Sequence, residues 1–154
     1  MIGIVFPVVP WTLRVWAVLT RVLLVDNSAD LLRSTKRLLA TSDDVEVIGC
    51  ATSCREALEC VSRMHPDLVL VDVTMGDMSG IEATRRMKAE PRPPLVVLTT
   101  LYDESRYERE AMAAGADGLV AKPELGTRLL PIIRVLTSSE PTGTRASEGS
   151  DISE

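Results

Sequence analysis

The chain has 154 residues, enough for one domain with length left for tails, and 45% hydrophobic content is enough for a core. A net charge of −5 leaves no basic footprint for nucleic acid, and 3% aromatic residues are too few for a base-stacking surface. Cys50, Cys54 and Cys60 form no C-x-x-C pair and leave an odd count, so neither a disulfide framework nor a zinc site is expected. They read as small apolar residues in or near a core, in a reducing, cytoplasmic setting.

Residues 1–19, "MIGIVFPVVPWTLRVWAVL", are apolar but broken by Pro7, Pro10 and Arg14, a poor membrane span. No basic residue precedes the apolar part and no A-x-A site follows it, which does not fit a signal peptide. Two readings stand: an ordered or membrane-touching extension, or the product of a start assigned upstream of a domain that begins at Thr20. The second is favoured.

Next, "RVLLV" (21–25) is a short branched apolar run and reads as strand β1. "SADLLRSTKRLLA" (28–40) puts Leu31, Leu32, Thr35, Leu38 and Leu39 at helical spacing, helix α1. "VEVIGC" (45–50) is β2. "SCREALECVSRM" (53–64) opens with Ser53 and Glu56 at capping-box spacing and is α2. "DLVLVD" (67–72) is β3, and "SGIEATRRMKAE" (79–90), with Ser79 and Glu82 as a second capping box, is α3.

"PLVVLTT" (94–100) is β4, and "DESRYEREAMAAG" (103–115) is α4, with Gly115 as its C′ residue. "DGLVAK" (117–122) is β5. The last helix, α5, carries Leu129, Leu130, Ile132, Ile133 and Leu136; a start near Thr127 places Pro131 in or just after its first turn. His65 precedes Pro66 and reads as a loop residue, and Asp77 as a turn residue. From about Thr137 the Ser/Thr/Gly/Glu-rich tail cannot repay the entropy of ordering. The expected organisation is an extension over 1–19, a domain over 20–137 and a disordered tail over 138–154.

Five strands alternating with five helices, the third strand apolar on both faces, predict a parallel sheet covered on both sides. Right-handed crossovers make it a doubly wound α/β domain, and five units suit the flavodoxin-like order 2-1-3-4-5. In that order the carboxyl ends of β1 and β3 flank one crevice. Asp26 ends β1 and Asp72 ends β3; Thr99 and Lys122 end β4 and β5 on the same edge. Close carboxylates repel unless a cation intervenes. Mg2+ suits two carboxylates with waters and a phosphate, and a lysine and a hydroxyl suit phosphoryl oxygens. The chemistry expected is phosphoryl transfer to one aspartate.

The motifs "LLVDNS", "HPDLVLVDVTMGDMSG", "VVLTT" and "GADGLVAKP" stand in this order between Arg21 and Leu136. There the chain resembles the receiver domain of two-component response regulators, in particular receivers attached to helix-turn-helix output domains. The resemblance implies that Asp72 is the phosphoacceptor, charged by a histidine kinase or phosphotransfer protein. It implies that Asp26, Asn27, Asp72 and the backbone carbonyl of Thr74 hold Mg2+, that Thr99 is the switch hydroxyl, and that Lys122 pairs with the phosphoryl group. Signalling through α4, β5 and α5 to an unknown output protein follows, with a homodimer through that face among the assemblies the family allows. No enzyme activity beyond its own phosphorylation and dephosphorylation is expected, nor direct nucleic-acid binding, nor a membrane span.

Four positions depart from the family pattern. Asn27 stands where a second carboxylate is usual, so Mg2+ is expected to bind more weakly. Met75-Gly76 replaces Met-Pro, Leu119 replaces an aromatic on β5, and Thr100 replaces a smaller residue and is expected to narrow access to the site. Asn27 also suits the N-cap of α1. The competing readings are a degenerate receiver that binds proteins without phosphorylation, and a flavodoxin-type cofactor protein. The acidic "DNSAD" loop after β1 opposes the latter.

Overall fold

The computed structural model of the protein describes residues 18–138. The readings of 1–19 as an extension and of 138–154 as a disordered tail therefore fall, except for Val18, Leu19 and Ser138, outside the described residues. The strands are β1 (Thr20–Val25), β2 (Val45–Ala51), β3 (Leu68–Asp72), β4 (Leu95–Thr100) and β5 (Gly118–Ala121). The helices are α1 (Ala29–Leu39), α2 (Cys54–Met64), α3 (Gly80–Lys88), α4 (Glu108–Ala113) and α5 (Leu125–Ser138). All neighbouring strands pair in parallel, in the order β2-β1-β3-β4-β5.

β3 shows why its run is continuously apolar. Leu68 and Leu70 pack with Leu39 of α1 and Leu129 and Ile133 of α5. Val69 and Val71 point the other way, into the layer of Val61, Ile81 and Met87 from α2 and α3. Side chains alternate across a strand, so burial on both faces needs an apolar residue at every position. Asp72 keeps the parity of Leu68 and Leu70 and emerges on the α1/α5 side.

The helix starts are cut by local hydrogen bonds. Ser28, Ser53 and Ser79 each accept the N–H three residues on. The α1 cap is thus Ser28 and not Asn27, whose side chain is exposed. Neither expected capping box closes on its own serine: Glu56 accepts from Thr52 N, and Glu82 pairs with Arg85 and Arg86.

Three further expectations are corrected. The 103–115 segment is not one helix: a 3-10 turn over Glu104–Arg106, begun by Asp103 accepting from Ser105 N, precedes α4. Gly115 is still the C′ residue, at φ +89. Helix α5 starts two residues earlier than Thr127, because a 3-10 turn over Lys122–Glu124 runs straight into it. Pro131 then lies in the second turn, with its ring on an exposed face. Cys54 and Cys60 are buried as expected, but Cys50 on edge strand β2 is exposed.

Candidate functional site

Pairing register brings the site together. Asp72 is the Cα partner of Thr99, and Thr99 is the partner of Val120, two residues before Lys122. Asp26 follows β1, which pairs with β3 through Val25 and Val71. Parallel strands end on the same edge, so four residues distant in sequence meet at one crevice.

The Lys122 ammonium sits between the two carboxylates, 2.7 Å from Asp72 Oδ2 and 2.8 Å from Asp26 Oδ2. The three side chains are between 6% and 10% exposed. The other oxygens are held by the following loops: Asp26 Oδ1 accepts from Ser28 N at 2.8 Å, and Asp72 Oδ1 from Thr74 N at 3.0 Å. Each carboxylate is thereby fixed by a backbone N–H two residues ahead. Asp26 Oδ2 is buried and, though close to the ammonium, lies off hydrogen-bonding direction. Burial pulls the Lys122 pKa down, but its contacts with Asp26 and Asp72 outweigh this, and the net shift is upward. The ammonium stays charged, and two carboxylates against one lysine leave the crevice net negative.

Thr99 is 2% exposed, at the floor of the crevice. Asn27 and Thr74 are exposed beside it. Thr100, expected to narrow access, is buried with its hydroxyl accepting from Tyr102 N, so it packs inward. Leu119 is half-buried against the core on the other side of the sheet. Among the described residues, no three His, Cys, Asp or Glu side chains gather to hold a metal. Two carboxylates, with neutral oxygens beside them, are what this crevice offers a cation.

Three residues that support the site were missed. Gly80 lies against the Asp72 backbone. Asp77 accepts from the N–H groups of Cys54 and Arg55 at 3.0 and 2.9 Å, clamping the loop after β3 onto the start of α2. Those backbone bonds hold the Asp77 carboxyl below its usual range. Glu104 accepts from Ala121 N, just before Lys122. Burial, then the charges of Asp77 and Asp72, push the Cys54 thiol up to about 11, away from the thiolate.

A family model described as the response regulator receiver domain matches residues 22–134. The protein-glutamate methylesterase/protein-glutamine glutaminase of Nocardioides sp. is 37% identical over 105 residues, 67% of this chain and 29% of that protein. The transcriptional regulatory protein YdfI of Bacillus subtilis is 33% identical over 104 residues, 68% of this chain and 48% of that protein. The chain thus spans less than half the length of either relative. Among solved structures, the signal receiver domain of the putative response regulator NarL from Mycobacterium tuberculosis superposes with a TM-score of 0.75 at 25% identity, covering 80% of this chain and 99% of that one. The response regulator domain of Thermotoga maritima CheB gives 0.73 at 25% identity, with the same coverages. Among the described residues, no helix is long and apolar enough to cross a membrane.

Proposed function

The chain belongs to the response regulator receiver family, and from that premise we propose that Asp72 accepts a phosphoryl group from a histidine kinase or phosphotransfer protein in a Mg2+-dependent reaction. The observation that carries this is the Lys122 ammonium held between Asp26 and Asp72 at 2.8 and 2.7 Å.

In the step proposed, an Asp72 carboxylate oxygen attacks phosphorus. The P–N bond of the donor phosphohistidine breaks as the new P–O bond forms, and its electron pair leaves with the imidazole nitrogen. Thr74 N–H, on Asp72 Oδ1, fixes the direction of attack. Lys122 faces the charge on the phosphoryl oxygens, and the Thr99 hydroxyl, one strand over, is the second donor within reach of the strand ends. The residues fit Mg2+: Asp26 and Asp72 offer hard oxygens, with Asp26 Oδ2 buried and without a hydrogen bond. The Asn27 amide and the Thr74 carbonyl are the neutral oxygens proposed to join them. When bound, the ion supplies the positive charge that lets an anionic phosphodonor approach a negative crevice.

The output proposed is a changed α4-β5-α5 surface read by another protein or by a second copy of the chain, in the cytoplasm. Exposed Met112 and Tyr102 lie on its helix and loop. A second reading, a receiver fold used for binding without phosphorylation, draws on Asn27, since among the described residues no third acidic side chain joins the crevice. Intact-mass analysis after exposure to acetyl phosphate, across a Mg2+ titration, separates the two. An adduct on the natural chain that is lost in Asp72→Asn supports the receiver. No adduct at any Mg2+ concentration supports the binding module.

A further inference from the structure

β4 stops pairing with β5 at Thr100↔Ala121. Beyond it the chain turns away from the sheet, and the backbone N–H of Ala121 takes its acceptor from a side chain: Glu104 Oε1, at 3.0 Å. The same oxygen meets the Arg128 guanidinium of α5, and Arg128 also reaches Glu124 at 2.6 Å. One carboxylate from the β4–α4 loop thus joins the end of β5 to the first turns of α5.

What Glu104 holds lies next to Lys122. On one side of that lysine, the Ala121 amide is pinned by Glu104. On the other, Pro123 restricts the Lys122 backbone, and the Lys122 carbonyl accepts from Leu125 N. A flexible four-carbon side chain delivers its ammonium accurately only from a fixed backbone. Glu104 is itself only 31% exposed at its side chain.

We infer that Glu104 is a positioning residue for Lys122, fixing the Ala121 N–H and so setting where the ammonium meets Asp72. This role rests on the reading of Asp72 as phosphoacceptor. Glu104 makes its hydrogen bond and ion pair to Ala121 N and Arg128, not to Asp72 or Lys122, and acts through the Ala121 backbone.

The test compares the full chain with Glu104→Ala and Glu104→Gln. Two measurements are made: the rate of adduct formation from acetyl phosphate at saturating Mg2+, by intact mass, and amide hydrogen exchange at Ala121 in unphosphorylated protein, by NMR. An amide oxygen still accepts from Ala121 N but carries no charge for Arg128. The expected result is an alanine variant about tenfold slower than the natural chain, with an unprotected Ala121 amide, and a glutamine variant within about twofold of it, with protection retained. The inference is overturned by an alanine variant at the natural rate, or by one that is slow while Ala121 stays protected. It is equally overturned by a glutamine variant as slow as alanine whose Ala121 amide stays protected, since the loss would then follow the carboxylate charge that faces Arg128. A natural chain that takes no phosphoryl group at all overturns the reading of Asp72, and this role with it.

Discussion

The Cα of Gly80 lies against the carbonyl of Asp72: a methyl group on it would overlap the carbonyl oxygen and sit 2.8 Å from the carbonyl carbon. Gly80 N also donates to Val73 O at 2.8 Å, folding the loop back on itself over the site. Neither atom can yield alone, because Asp72 is locked in register with Thr99 and Gly80 is the first residue of α3. Gly80→Ala is expected to cost about 1–3 kcal/mol, as overpacking does, and to slow phosphorylation by moving the Asp72 backbone. Denaturant titration and intact mass measure the two effects; an alanine variant with the natural midpoint would contradict the contact.

Asp77 gives the loop after β3 a pH dependence. Its carboxyl is held low by N–H bonds from Arg55 and Cys54, so its folded pKa is depressed. A depressed carboxylate stabilises the fold above its unfolded pKa of about 3.9, and that contribution is lost as pH falls through the folded value. Glu82 and Asp44 are lowered too, so acid destabilises the chain by several routes. The Asp77 share is isolated by difference: Asp77→Asn is expected to be less stable than the natural chain near neutrality, with the gap closing below about pH 4. Melting temperatures of both proteins across that range measure it, and a gap independent of pH would count against the clamp.

Much of this was legible in sequence, for a definite reason. β3 announces itself because burial on two faces demands an unbroken apolar run. Asp26, Asp72, Thr99 and Lys122 follow, since strand order alone puts their strand ends on one edge. The start of α5 was misjudged because Leu125 is buried directly after a 3-10 turn, and no capping residue marks the boundary. Asp77 was legible as a turn residue, but its clamp and the bond of Glu104 were not, because each meets a backbone N–H far away in sequence, 22 and 17 residues off. Periodicity reports which face a residue occupies, not which distant amide it meets.

His65 offers a gain in stability. It ends α2 at φ 48, in the left-handed region where a Cβ is unfavourable, and it is the sole non-glycine residue with positive φ among those described. What the position supplies is backbone: its carbonyl, with that of Met64, accepts from the Arg21 guanidinium at 2.8 Å. Glycine keeps both acceptors and relieves the strain. His65→Gly is expected to raise stability by about 0.5–1 kcal/mol, part of the relief being offset by the freer unfolded chain. Thermal or denaturant midpoints would show it, and a lowered midpoint would mean that the imidazole has an unseen role.

Asn27 is where metal affinity is expected to be set. The crevice already holds two carboxylates against one ammonium. A third carboxylate at Asn27 would add repulsion when no metal is bound and attraction when one is. The signs therefore differ: Asn27→Asp is expected to melt below the natural chain without Mg2+ and to gain more from added Mg2+, because at one concentration the tighter ligand stabilises more, with the logarithm of its affinity. One added charge near a divalent ion at an exposed position amounts to about 1–2 kcal/mol, so half-saturation should fall roughly tenfold. Melting curves across a Mg2+ titration read both effects without any phosphodonor. Equal shifts in the two proteins would remove Asn27 from the metal's surroundings and leave Asp26 and Asp72 as its only side-chain ligands.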